Sequence, residues 1–174
     1  MRSEAMSRGQ AERIAPMVRE VMAAAGAAFA EIDRIAVTTG PGSFTGVRVG
    51  LSFGRALALA LGKPCVGIST LEALALEEGE AGLRGALIET PGASYVALYD
   101  NGAPLIAPRA IERGAHEDLI WGAAKGRAFT VRGPGVSVRI AELALRAARL
   151  NSAHYPPNPT YLRAPHVTLP GAGS

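Results

Sequence analysis

Ala11, Ile14, Ala15, Val18, Val21, Met22 and Ala25 recur at the spacing of one helix face, which predicts an amphipathic helix over 7–25. Ser3 or Ser7 offers a capping hydroxyl at its start, and Gly26 suits a left-handed stop at its end. The period then changes. Residues 32–38 form a short apolar run with β-branched side chains, as a buried strand does. A glycine-rich turn at 40–46 leads into a second helix at about 45–61, which Pro64 stops. Residues 65–68 read as another strand. Ser69-Thr70-Leu71-Glu72 then has the S-x-x-E form of a capping box, opening a third helix to about 78. Helix, strand, helix, strand, helix in this order predicts an α/β lobe with neighbouring parallel strands.

An acidic, glycine-rich stretch at 77–85 breaks the pattern. Beyond it, 85–89 and 94–99 alternate as strands joined through Pro91-Gly92, and Asp100-Asn101-Gly102 is a strong turn signal. A short strand at 105–107, a helix at 117–124, a strand at 128–132 and a helix at 136–150 follow. From 151 the chain carries Pro156, Pro157, Pro159, Pro165 and Pro170, so the tail is expected to be extended. The predicted organisation is a first α/β lobe over 1–82 and a second over 83–174 that ends in the proline-rich tail.

With 48% hydrophobic and 19% charged residues among 174, the chain can fill a core. Its net charge of +3 is spread thinly: arginines run from Arg2 to Arg163, and the lysines are Lys63 and Lys125. That distribution argues against a dedicated nucleic-acid stripe. The single cysteine, Cys65, excludes an intrachain disulfide and fits a reducing cytoplasm. Residues 1–20 lack the apolar core of a signal peptide. The most apolar stretch, 47–61, contains Arg48 and Arg55 and is short for a bilayer. The expectation is a cytoplasmic protein with no membrane partner.

Candidate chemistry centres on the glycine loop. Gly40, Gly42, Ser43, Thr45 and Gly46 lie between a strand and a helix, where backbone N–H groups and the helix dipole can hold a phosphate or nucleotide. The G-x-G-x-x-x-G spacing matches neither a P-loop, which needs a lysine, nor a dinucleotide fingerprint with its later acidic residue. A tight strand-to-helix turn explains the same glycines. Gly46, Gly50, Gly54 and Ala58 recur every fourth residue along the second helix. Glycine inside a helix costs about 1 kcal/mol against alanine. Close approach of another backbone would offset that, either within this chain or from another protein. His116, His154 and His166 are far apart and read as surface residues, and Cys65 as a buried inert thiol. Ser43 lacks the G-x-S-x-G elbow, because Pro41 stands where a glycine should be. Trp121, Tyr95, Tyr99, Tyr155 and Tyr161 suit either packing or base stacking.

The run Ile35-Ala-Val-Thr-Thr-Gly-Pro-Gly-Ser-Phe-Thr-Gly-Val-Arg-Val-Gly-Leu51, continued by Gly62-Lys-Pro-Cys-Val-Gly-Ile-Ser-Thr-Leu-Glu-Ala-Leu74, resembles the signature of the TsaB (YeaZ) family. Ser7-Arg-Gly-Gln-Ala-Glu-Arg13 is similar to the start of that family's first helix, and Tyr161-Leu-Arg-Ala-Pro165 to its C-terminal ending. The likeness is strong over 7–76 and weaker beyond. It implies an actin-like, sugar-kinase-like (ASKHA) α/β fold of two lobes. It also implies a non-catalytic subunit that pairs with a TsaD-like transferase, which transfers threonylcarbamoyl to a tRNA adenosine. A TsaE-like ATPase joins them, tRNA is reached indirectly through the complex, and the subunit forms a homodimer when alone.

Family members open with a strand hairpin carrying an Asp-Thr-Ser type segment. This sequence starts at or just before the first helix, so the resemblance implies a first lobe lacking that hairpin, with an exposed sheet edge. Transferase relatives hold a metal through H-x-E-x-H. Thr70 and Leu74 stand at the two histidine positions and only Glu72 remains, which implies no metal site and no catalytic residue. No cofactor is expected beyond weak or interfacial ATP or ADP. The partner-binding residues implied are Arg13, Met17 and Met22 on the first helix and Gly46, Arg48, Gly50, Gly54 and Arg55 on the second. The alternatives are a nucleotide-binding ATPase or kinase, and a glycoprotease-type metallopeptidase.

Overall fold

The computed structural model describes residues 1–76 and 81–162. The first half follows the predicted alternation: α1 (Gln10–Ala25), β1 (Ile35–Thr38), α2 (Phe44–Leu61), β2 (Cys65–Ile68) and α3 (Thr70–Ala75). β1 and β2 pair in parallel, Ile35 beside Cys65 and Thr38 beside Ile68, and among the described residues no other strand joins them. Gly26 ends α1 in the left-handed region, as predicted.

Three boundaries differ from expectation for local reasons. Neither Ser3 nor Ser7 caps α1, because Gly9 is the N-cap and lies in the left-handed region with φ 80°. The entry is held instead by Gln10 Nε2, which donates to Met6 O at 3.0 Å. β1 begins at Ile35 because Phe29–Glu31 winds into a 3-10 turn, in which Ala28 N–H donates to the Glu31 carboxylate at 2.6 Å. The expected capping box at Ser69 does not form. Ser69 Oγ donates to Gly40 O at 3.3 Å, and Glu72 turns away to an arginine of a later helix.

The second half builds a four-stranded sheet from β3 (Leu83–Thr90), β4 (Ala93–Asp100), β5 (Ala103–Ile111) and β6 (Phe129–Arg132), in the order β5-β4-β3-β6. β3, β4 and β5 are antiparallel, and β6 runs parallel to β3. The turn at Asn101-Gly102 has positive φ at both residues. β5 is much longer than the three residues expected at 105–107. It is an edge strand with Pro104 and Pro108, and Ile106 is its buried residue, so its apolar alternation is faint. Two helices complete the described chain, α4 (His116–Ala124) and α5 (Ile140–Arg149). α5 starts four residues later than 136, with Arg139 still extended at its N-cap.

Each sheet face has its own cover. Leu83, Val96, Leu98 and Ile106 pack on Ile120 and Ala124 of α4. Ala86, Ala97 and Tyr99 pack on Leu71, Leu74 and Ala75 of α3. α5 returns to the first half, placing Leu143 and Ala147 against Val66, Ile68 and Ala73. The proline-rich segment then runs across the β1–β2 pair: Gly67 N–H donates to Tyr155 O and Thr160 N–H to Thr39 O, both at 2.9 Å. Pro156 and Pro157 lie so close to Gly67 that a Cβ there would stand 2.6 Å from Pro156 O. Pro165, Pro170, Arg163 and His166 lie outside the described residues.

α2 is longer than the stretch at 47–61 suggested. Its 18 residues with mean hydropathy 1.3 are long and apolar enough to cross a membrane by length and composition. Within this fold its buried residues Leu51, Gly54 and Ala58 lie on the side that meets β1.

Two glycines of α2 separate packing from helix propensity. A Cβ on Gly54 would sit 2.3 Å from Val37 Cγ1, whereas one on Gly50 meets nothing within 4 Å. Gly54→Ala is expected to destabilise the protein by about 1–3 kcal/mol through overpacking. Gly50→Ala is expected to stabilise it by up to about 1 kcal/mol. Urea unfolding of both variants checks the opposite signs; a shift of the same sign in both would refute this packing.

Candidate functional site

The structure distributes the expected partner-binding residues over two surfaces. α1 touches α2 yet has no buried residue along its 16 positions. Met17 and Met22 are half-buried. Arg13 is already engaged, with Nε 2.8 Å from Glu4 Oε2 and Nη1 2.7 Å from Glu20 Oε1. The hydrogen bond from Arg13 holds the Glu4 carboxyl below its ordinary range.

The four-residue stripe on α2 is not one surface. Gly46 belongs to the helix cap, its N–H donating to Ser43 Oγ at 3.0 Å. Gly54 and Ala58 are buried, and Gly54 meets Val37 and Ile35 of β1. Gly50 is left facing open space. Internal packing therefore explains Gly54, and Gly50 stays open to another molecule. Arg55 is exposed. Arg48 belongs elsewhere: its guanidinium stacks 3.7 Å from the Phe44 ring centroid, and Nη2 lies 3.4 Å from Tyr161 Oη.

That contact marks the mouth of a cleft of about 490 Å³, lined by the glycine loop, the first turns of α2, Tyr95 of β4 and residues 159–162. Gly40 has φ 98°, and its carbonyl accepts the Thr70 N–H at 2.8 Å, which ties the loop to the start of α3. Thr39 is buried, and its Oγ1 lies 2.9 Å from Thr160 Oγ1, fastening the tail beside the loop. Ser43 spends its hydroxyl on the cap, while Gly42 and Thr45 are exposed. Phe44, Val47, Thr160 and Leu162 line this cleft and were not singled out from the sequence. Phe44 carried a signal: it sits inside the glycine motif, and 62% of its surface is exposed. Thr160 carried none, because only the fold brings it there, and Leu162 stood out only within the run Tyr161-Leu-Arg-Ala-Pro165.

Position 72 is the centre of a second cluster. Glu72 Oε1 accepts from Arg146 Nη2 at 2.7 Å, from Arg146 Nε at 3.1 Å and from Tyr155 Oη at 3.3 Å. The two charged side chains are only 12% and 15% exposed, so this pair lies largely out of water. Burial, with the Glu72 charge adding to it, pushes the phenols of Tyr99 and Tyr155 above the ordinary tyrosine range. Leu74 is core, packed with Tyr99, and the Thr70 N–H is bonded to the glycine loop. Neither side chain offers a metal ligand beside Glu72.

The remaining expected residues are scattered. His116 is half-buried rather than fully exposed, and its Nδ1 is buried without a partner among the described residues. His154 is exposed. Cys65 is half-buried rather than buried, and burial raises its thiol pKa, so it stays a thiol. Trp121 is exposed and meets Phe129 edge-on at 5.0 Å, whereas Tyr99 is core.

A family model described as TsaD, tRNA N6-adenosine threonylcarbamoyltransferase, matches residues 3–98, more than half of the chain. The tRNA N6-adenosine threonylcarbamoyltransferase of Erythrobacter litoralis is 49% identical over 73 residues, 42% of this chain and 21% of that protein. The tRNA threonylcarbamoyladenosine biosynthesis protein TsaB of Escherichia coli is 40% identical over 72 residues, 41% of this chain and 31% of that protein. The chain thus spans less than a third of either curated relative. In three dimensions it is similar to the crystal structure of an uncharacterized Pseudomonas aeruginosa protein with similarity to peptidase YEAZ. The TM-score is 0.67 and the identity 26%, over 92% of this chain and 87% of that one. The expected α/β fold of the actin-like, sugar-kinase-like type holds on this likeness.

The cluster at Glu72 yields two expectations. Arg146→Met leaves a largely buried carboxylate unpaired and should cost about 3 kcal/mol. Adding Glu72→Gln should recover a good part of that loss, with a coupling of roughly 1–3 kcal/mol in a double-mutant cycle by urea unfolding. The raised phenols favour the folded state fully below about pH 10, the unfolded tyrosine value. Above it the unfolded chain ionises first and stability falls with rising pH. Tyr99→Phe should flatten that alkaline loss and remove the latest step in the tyrosinate absorbance titration.

Proposed function

Because this chain belongs to the TsaD family and is TsaB/YeaZ-like, we propose that it is a non-catalytic scaffold subunit of the tRNA threonylcarbamoyladenosine-modifying machinery. It binds a TsaD-like transferase through α1 and α2. A TsaE-like ATPase joins the pair, and tRNA is met through the complex, in the cytoplasm. In the partner's absence the same helices pair two copies of this chain.

The observation that carries this reading is α1. A 16-residue amphipathic helix lies on the outside of the molecule, against α2, and buries none of its residues. Ile14, Met17, Val18, Val21 and Met22 are all only half-covered. An apolar stripe in that state is what a helix presents to a second protein. On α2, Gly50 faces open space, which lets another backbone come close. The transferase's metal chemistry has no counterpart at positions 70, 72 and 74, where Leu74 is core and the Glu72 carboxylate is neutralised by Arg146.

Co-purification with the TsaD subunit of the same organism, sized by light scattering, tests the proposal. A stable heterodimer is expected. Gly50→Leu should keep the fold, since its side chain enters open space, and should weaken association about tenfold or more. Undiminished pairing by Gly50→Leu removes Gly50 from the interface. The absence of any heterodimer with the unaltered chain overturns the scaffold reading.

A further inference from the structure

We propose that the cleft beside the glycine loop binds a flat, largely apolar small molecule carrying a single negative charge, and disfavours a nucleoside triphosphate. Its volume of about 490 Å³ is that of a small-molecule site. Phe44 and Tyr161 line it with 62% and 61% of their surfaces exposed. Two exposed rings at one opening favour a planar guest.

The charge at this opening is singular. Among its described lining residues Arg48 is the one cation, and none is acidic. The Arg48 guanidinium carbon lies 3.7 Å from the Phe44 ring centroid, and Nη2 donates to Tyr161 Oη at 3.4 Å. That tyrosine contact is long, and a carboxylate offers the guanidinium two better acceptors. A triphosphate brings several negative charges and a magnesium ion. The described lining residues include one arginine and no carboxylate to meet them. The loop is also partly spent, since Gly46 N–H is bonded to Ser43 Oγ.

This inference is independent of the scaffold reading and either can fail alone. Its test is calorimetric titration of the full chain with indole-3-acetate, its uncharged amide, and ATP with magnesium. The acid should bind saturably and at least about tenfold tighter than the amide, the difference that one charged hydrogen-bonded contact makes. ATP should bind more weakly than the acid. Arg48→Met should erase the preference for the acid. Equal binding of acid and amide, tighter binding of ATP, no binding of the acid, or a preference that survives Arg48→Met overturns the proposal. Should that variant fail to fold, methyl NMR of the unaltered chain decides. Shifts of the Val47 methyls on adding the acid support the site, and unmoved Val47 methyls overturn it.

Discussion

Two strands of four residues, paired only with each other among the described residues, cannot persist on their own backbone hydrogen bonds. Everything at the glycine loop depends on what the rest of the chain lays against them. α2 covers one side through Gly54, the glycine that lets the helix approach Val37 and Ile35. α5, from the far end of the chain, brings Leu143 and Ala147 to Val66 and Ile68. Arg34 reinforces this by donating to the carbonyls of Ala147 and Leu150 at the end of α5. The segment after α5 then bonds to both strands, at Gly67 and at Thr39. This cover buries Val66, Gly67 and Ile68 of β2, whereas β1, expected to be a buried strand, is half-buried along its length.

The Glu72–Arg146 pair makes the same arrangement specific. It joins α3, which packs on the four-stranded sheet, to α5, which packs on the two-stranded one. Tyr155 adds its hydroxyl to the same carboxylate oxygen just before the chain reaches Gly67. A pair this far from water contributes less through its own attraction than through the cost of any packing that separates it. It therefore fixes which way α5 and the tail return. On either side of Glu72, Leu74 is core and the Thr70 N–H bonds the glycine loop.

Much of this was legible in the residues. The boundaries of β2 and the end of α2 follow from Pro64 and from runs of β-branched residues, and the hairpin of β3 and β4 from Pro91-Gly92 between alternating strands. The signals that misled were local ones with a tertiary competitor. Ser69-x-x-Glu72 has the form of a capping box, but Arg146, 74 residues away in sequence, offers Glu72 a charged partner. Ser7 lost α1 to Gly9, whose left-handed backbone no serine matches easily. β5 was expected only over 105–107, because an edge strand with two prolines has little alternation to show.

The candidate sites divide along the same line. A stripe of small residues says that something comes close, but not what. Only coordinates separate Gly54, which meets a strand of its own chain, from Gly50, which meets nothing. Arg48 shows the converse. In sequence it is one more charge on the helix that carries the stripe, yet the ring of Phe44 turns it toward the tail and the cleft. The helix thus presents two different chemistries two residues apart: an open backbone on which another protein can rest, and a cation over a ring that can hold a small anion. Since both rise from α2, whose position against β1 rests on Gly54, a change that loosens that single contact should disturb both surfaces together. A change at Gly50 or at Arg48 should disturb only its own.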